Sequence, residues 1–130
     1  VLLGAASFWE GVDVPGDRLR IVVIDKLPFT PPDDPILEAT IKAANEQGER
    51  AFSTIQIPHA VLALKQGAGR LIRQSQDYGI LVMGDPRLTT RGYGKIFLKS
   101  LPDMTVSPSV TDAIDFIYAC EENLERSHDE

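Results

Sequence analysis

Cysteine is almost absent from this chain. Cys120 stands alone among 130 residues, which excludes an internal disulfide and a cysteine-built metal cluster within it. Long hydrophobic runs are missing too: no apolar stretch reaches the ~18–20 residues a membrane-spanning helix needs, so no membrane association is expected. No charged segment, apolar core and small-residue cleavage site open the chain, so no secretion signal is expected. A reducing, cytoplasmic setting fits these gaps. An initiator methionine is lacking as well. Val1-Leu2-Leu3-Gly4-Ala5-Ala6 begins as a buried strand would in mid-pattern, and the chain is expected to be cut from something longer.

Net positive charge is also lacking, since the formal charge is −6. The distribution is uneven, however. Residues 65–99 hold Lys65, Arg70, Arg73, Arg87, Arg91, Lys95 and Lys99 against only Asp77 and Asp85, while acidic residues prevail on both sides. A positive island between acidic flanks is the pattern of a local anion site, or of a solvated basic face.

What is present reads as alternating strands and helices. Leu19–Ile24 is short, β-branched and apolar, as is Ile80–Asp85, and such runs suit strands covered on both faces in a parallel sheet. Between them, Pro28-Phe29-Thr30-Pro31-Pro32 excludes helix. Asp33 and Asp34 form an N-cap region before Pro35, and the helix that follows should run from Pro35 to Gln47 and stop at Gly48. Residues 48–57 read as a loop, and Pro58 opens a second helix. A short helix over Tyr93–Leu101 should end at Pro102. Beyond the Thr105–Ser109 linker, a last helix is expected from Val110 to Leu124, with Ala113, Ile114, Phe116, Ile117 and Cys120 as its packed stripe and Ser127–Glu130 frayed. The fold class expected is α/β, a three-layer arrangement with a mostly parallel sheet flanked by helices. Ligands in such sheets bind beyond the carboxyl ends of the strands, and the Asp85–Arg91 loop follows one of them. Asp85 and Arg87 are expected either to pair there and fix the loop or to contact DNA directly, with pairing favoured.

The most informative stretch is Gln66-Gly67-Ala68-Gly69-Arg70-Leu71-Ile72-Arg73. With Val61 and Leu64 its apolar positions recur at three- and four-residue steps, so the periodicity predicts a helix with one buried face. That helix would bring Gln66, Arg70 and Arg73 to one side. Gly67 and Gly69 each cost a helix interior ~1 kcal/mol relative to alanine. Two such costs so close together suggest that a phosphate or another chain segment approaches the backbone.

Two segments together carry a family resemblance. Ser7-Phe8-Trp9-Glu10-Gly11-Val12-Asp13-Val14-Pro15-Gly16 resembles motif V of the DinG/XPD-like superfamily 2 DNA helicases, and the Gln66–Arg73 octet resembles their motif VI. Asp25-Lys26-Leu27-Pro28-Phe29 and Gly84-Asp85-Pro86-Arg87-Leu88 are similar to the bacterial DinG and YoaA branch. The resemblance implies that residues 1–104 are the C-terminal part of the second RecA-like motor domain, followed by a linker, terminal helix and acidic tail over 105–130. It implies an ATP-dependent motor moving 5′ to 3′ on single-stranded DNA, with ATP and Mg²⁺ shared with a first RecA-like domain. Carried over by position, Arg70 and Arg73 would be arginine fingers with Gln66 beside them. Gly11, Asp13, Glu10 and Gly69 would belong to the nucleotide side, and Ser7, Phe8, Trp9 and Lys65 to the DNA side. A guanidinium supplied across a cleft is worth ~10³–10⁵ in phosphoryl-transfer rate, and its planar fork grips phosphate in a way lysine cannot reproduce.

Departures from the family pattern set the limits. No Gly-x-x-x-x-Gly-Lys-Ser/Thr phosphate loop occurs here, and the cysteine ligands of the family's iron–sulfur cluster are missing. Both belong to the family's first half, so the chain alone is expected not to hydrolyse ATP and not to bind the cluster. Two other classes stay open. The acidic terminal helix could make this a non-enzymatic module docking a replication or repair partner; YoaA-like helicases are associated with the chi subunit of the clamp loader. Alternatively, an unrelated α/β protein could bind an anion on its glycine loop.

Overall fold

A computed structural model describes residues 19–31, 33–72 and 77–128. Val1–Ala6 and the Ser7–Gly16 loop lie outside the described residues. The element order is β1 (Ile21–Ile24), α1 (Pro35–Glu46), a π-helical turn (Phe52–Gln56), α2 (Ile57–Gly69), β2 (Ile80–Met83), α3 (Arg87–Thr90), α4 (Gly94–Ser100) and α5 (Val110–His128). β1 and β2 pair in parallel, with Ile21 opposite Ile80 and Ile24 opposite Met83. Helices link and cover this sheet, so the architecture is consistent with a partial α/β fold of the RecA-like type.

Local chemistry accounts for the boundaries. Asp34 caps α1: its Oδ1 accepts from the backbone N–H groups of Ile36 and Leu37, both at 3.0 Å, and Pro35 occupies the first turn. Gly48 closes the helix at φ +78°, where side-chain-bearing residues are strained. Where a loop was expected over 48–57, the chain instead enters α2 through the π-helical turn. Thr54 Oγ1 donates to the Arg50 carbonyl at 3.2 Å inside this turn, competing with the regular backbone ladder. At α5, Ser109 Oγ accepts from the Asp112 N–H at 3.3 Å as an N-cap.

The core lies where α2 and α4 meet the sheet: Ile24, Leu27, Ile57, Ala60, Leu64, Leu88 and Phe97 form one buried cluster, with Leu64 and Phe97 fully enclosed. Gly94 is required there, because a Cβ at that position would run into the Leu88 carbonyl. Three expectations are corrected. The strands are not covered on both faces, since Ile21 is 54% and Val23 66% exposed. An apolar run reports affinity for a buried surface without reporting what covers it. The α5 stripe is likewise only half-sheltered, with Ile114 and Phe116 largely exposed and Ala113, Ile117 and Cys120 partly so. Ser127, expected to fray, is helical, and its Oγ donates to the Leu124 carbonyl at 2.8 Å.

Candidate functional site

The glycine–arginine octet sits at the C-terminal end of α2. The helix does not run through it. α2 stops at Gly69, Arg70 is the C-cap, and the last turn tightens into three-residue bonds from Arg70 N–H to Gly67 O (3.3 Å) and from Leu71 N–H to Ala68 O (3.0 Å). Leu71, buried, explains the stop. It leaves the helix to pack beside Gly79, where an added Cβ would lie 2.8 Å from the Arg20 carbonyl and closer still to the Leu71 side chain. The expectation that helical phase aligns Gln66, Arg70 and Arg73 is therefore corrected at Arg70, and Arg73 lies outside the described residues.

Leu71 also locates the site. Gly79 and Arg20 immediately precede β2 and β1, so the end of α2 lies at the amino edge of the sheet. Along the octet, Lys65, Gln66 and Gly69 are exposed, Gly67 and Ala68 are buried, and Arg70 is half-buried. A Cβ added to Gly69 meets nothing within 4 Å, and its φ is not positive. Among the described residues, neither backbone conformation nor a neighbour accounts for glycine here, and the space above it is open. A helix C-terminus presents carbonyl oxygens and partial negative charge. An anion approaching Gly69 would therefore need guanidinium groups, whereas a glycine-loop anion nest uses the N–H groups of a helix N-terminus. The geometry disfavours the anion-loop alternative.

The carboxyl edge holds a different arrangement. Asp85, just past β2, is buried and accepts from the Leu27 N–H at 2.8 Å and the Arg87 N–H at 3.0 Å, and it pairs with Arg87 Nη2 at 2.6 Å. This is the pairing the sequence suggested. The hydrogen bond from the Arg87 side chain, helped by the two backbone donors and the guanidinium charge, outweighs burial and holds the Asp85 carboxyl well below the usual carboxylate range. The same hydrogen bond raises Arg87 above its ordinary value. The pair ties the strand-end loop to the segment after β1.

Two clusters went unforeseen, because their members are far apart in sequence. The Arg20 guanidinium lies 4.0 Å over the Tyr78 ring at the amino edge. Phe29, Phe52, Tyr93 and Phe97 gather at the carboxyl edge, with Arg87 5.3 Å over Phe29. Of the remaining expected site residues, Ser7, Phe8, Trp9, Glu10, Gly11 and Asp13 lie outside the described residues. Among the described residues, no helix is long and apolar enough to cross a membrane.

Comparison with known proteins agrees with the motifs. A family model described as a helicase C-terminal domain matches residues 1–104. The ATP-dependent DNA helicase YoaA of Haemophilus influenzae is 52% identical over 117 residues, covering 90% of this chain and 18% of that protein. Its Escherichia coli namesake is 50% identical over the same shares. A Bacillus subtilis protein named 3′-5′ exonuclease DinG is 46% identical, over 87% of this chain and 12% of its own length. The chain thus spans less than a fifth of the length of these relatives. With the family model covering four-fifths of its residues and these relatives 46–52% identical to it, the chain belongs to the helicase C-terminal domain family, in its DinG-like branch.

Proposed function

We propose that this chain works as part of the second motor domain of an ATP-dependent DNA helicase, with Arg70 and Arg73 as arginine fingers. The observation that carries the reading is the space over Gly69, open among the described residues, beside the half-buried Arg70 at the C-terminal end of α2. That end has room for a phosphate and needs cations to hold one. The names of the YoaA relatives support a motor acting on DNA. Gln66 is exposed one turn before Arg70 and would join the phosphate contacts. Glu10, Gly11 and Asp13 would couple the nucleotide to the DNA side, where Ser7, Phe8, Trp9 and Lys65 contact single-stranded DNA. ATP and Mg²⁺ would be bound chiefly by the first RecA-like domain, which brings the phosphate loop lacking here.

In this reading the protein's contribution is electrostatic. Charge spread over the transferring phosphoryl group is met by guanidinium groups that approach only when the two domains close. Closure is favoured while the γ-phosphate is present and weakened after its loss, which makes the same contact a catalyst and a switch. The chain alone would leave ATP intact. In a full-length helicase carrying this sequence, Arg70→Ala and Arg73→Ala should each abolish DNA-stimulated ATP turnover without loss of fold by circular dichroism. Unchanged turnover in both variants would overturn the assignment.

A second reading has one observation in its favour. α5 carries Asp112, Asp115, Glu121, Glu122 and Glu125 beside exposed Ile114, Phe116 and Tyr118, a surface suited to a protein partner such as the clamp-loader chi subunit. Capture of that subunit with no binding to single-stranded DNA at low salt would favour this module over the motor.

A further inference from the structure

Phe52 remains 42% exposed although an aromatic group packs against it. Phe29 stacks on it with ring centroids 5.7 Å apart and planes at 23°, and Tyr93 meets it at 5.4 Å and 71°. Phe97, fully buried, supports both Phe29 and Tyr93 from within the core. The exposed ring is thereby held in a fixed orientation. Its backbone opens the π-helical turn, a geometry that recurs at functional positions.

The surroundings are cationic. Arg50 precedes Phe52 by two residues, Arg91 and Lys95 flank Tyr93 by two on either side, and neither 50–54 nor 91–95 contains a carboxylate. All three cations are exposed. A Cβ at Gly92 would meet nothing within 4 Å, so the approach to Tyr93 is open on that side. The group stands at the carboxyl edge of the sheet, because Phe29 follows β1 and Arg87, lying over its ring, follows β2. Ligands of α/β sheets bind at that edge.

We propose that Phe52 and Tyr93, with Arg50, Arg91 and Lys95, form a stacking platform for single-stranded DNA. The proposal rests on the helicase reading and extends its DNA track to residues outside both motifs. Flat bases match an exposed, rigid ring whatever their identity, and the strand's phosphates match the three exposed cations. An apolar protein segment would cover the rings but strip water from the cations without return.

The test is fluorescence anisotropy of a labelled ~20-nucleotide oligothymidylate titrated with the full 130-residue chain at several salt concentrations. Phe52→Leu keeps an apolar side chain and removes the stacking face, and Kd should rise about 5- to 150-fold, the equivalent of the ~1–3 kcal/mol a stacked base contributes. A second variant, Arg91→Gln with Lys95→Gln, alters exposed side chains only and should flatten the slope of log K against log salt by about 1.4, at ~0.7 per phosphate contact. Wild-type affinity and slope in both variants would overturn the platform while leaving the helicase reading in place. Displacement of the oligonucleotide from wild type and from Phe52→Leu at the same polyglutamate concentration would also overturn it, because stacking would then contribute nothing. If the wild-type chain bound no oligothymidylate the platform would fall, and the turnover of the Arg70 and Arg73 variants would decide the helicase reading separately.

Discussion

Replacing Asp85 with alanine perturbs the fold at the point where the structure gives the clearest magnitude. The residue is only 5% exposed, and its carboxylate holds the Leu27 N–H at 2.8 Å, the Arg87 N–H at 3.0 Å and the Arg87 guanidinium at 2.6 Å. Leu27 is itself buried, so its N–H finds no water once the acceptor has gone. A buried donor left without a partner costs about 1–3 kcal/mol, and a hydrogen bond to a charged acceptor contributes about 1.5–3 kcal/mol. The Arg87 side chain is 39% exposed and regains hydration, which lowers the total. A loss of about 3–5 kcal/mol follows from the orphaned donor and the lost charged hydrogen bonds, against a whole-domain stability of ~5–15 kcal/mol. Arg87→Ala leaves both backbone donors in place and should cost only about 1–2 kcal/mol. Urea unfolding followed by circular dichroism reads both. With m near ~2 kcal/mol per molar, Asp85→Ala should lower the midpoint by roughly 2 M, at least twice the shift of Arg87→Ala. Equal shifts, or a loss under about 1 kcal/mol for Asp85→Ala, would refute the reasoning.

The same carboxylate gives a pH dependence. Its folded pKa lies below the unfolded value near ~3.9, so its stabilisation is complete above that value and lost as pH falls toward the folded one. Stability should decline from about pH 5 downward, and Asp85→Asn should flatten that decline in urea midpoints measured across pH. Asp34→Ala removes the α1 N-cap and should cost about 1 kcal/mol by the same assay. Gly94→Ala forces a Cβ into the Leu88 carbonyl and should destabilise by about 1–3 kcal/mol. Gly69→Ala, with open space above it, should instead stabilise α2 by up to about 1 kcal/mol, while slowing ATP turnover in the full-length helicase. A destabilised Gly69→Ala would show that the glycine serves the fold.

Much of this was readable from residue order wherever the determinants are local. Asp34-Pro35 and Gly48 bracket α1 because capping and positive φ depend on a few adjacent residues. Asp85 and Arg87 pair across one turn, within reach of each other in any conformation that ends the strand. Non-local packing set the rest. The end of α2 escaped the periodicity because Leu71 fits beside Gly79, which helical spacing cannot register. Ile21 and Val23 look like doubly buried strand residues, yet an apolar side chain does not specify its cover. The aromatic group joins positions 29, 52, 93 and 97, and no pattern along the chain links them. For the candidate site, the octet drew attention by its residue types, whereas the placement of its described part at the amino edge came from the fold.

In the proposed function, the Arg70 guanidinium at the end of α2 acts on a nucleotide phosphate. Single-turnover ATP hydrolysis by the full-length helicase carrying Arg70→Lys tests it most directly, because charge is kept and only the planar fork is removed. The rate should fall at least ~10³-fold below wild type, with single-stranded DNA affinity unchanged. A rate within a few-fold of wild type would contradict it.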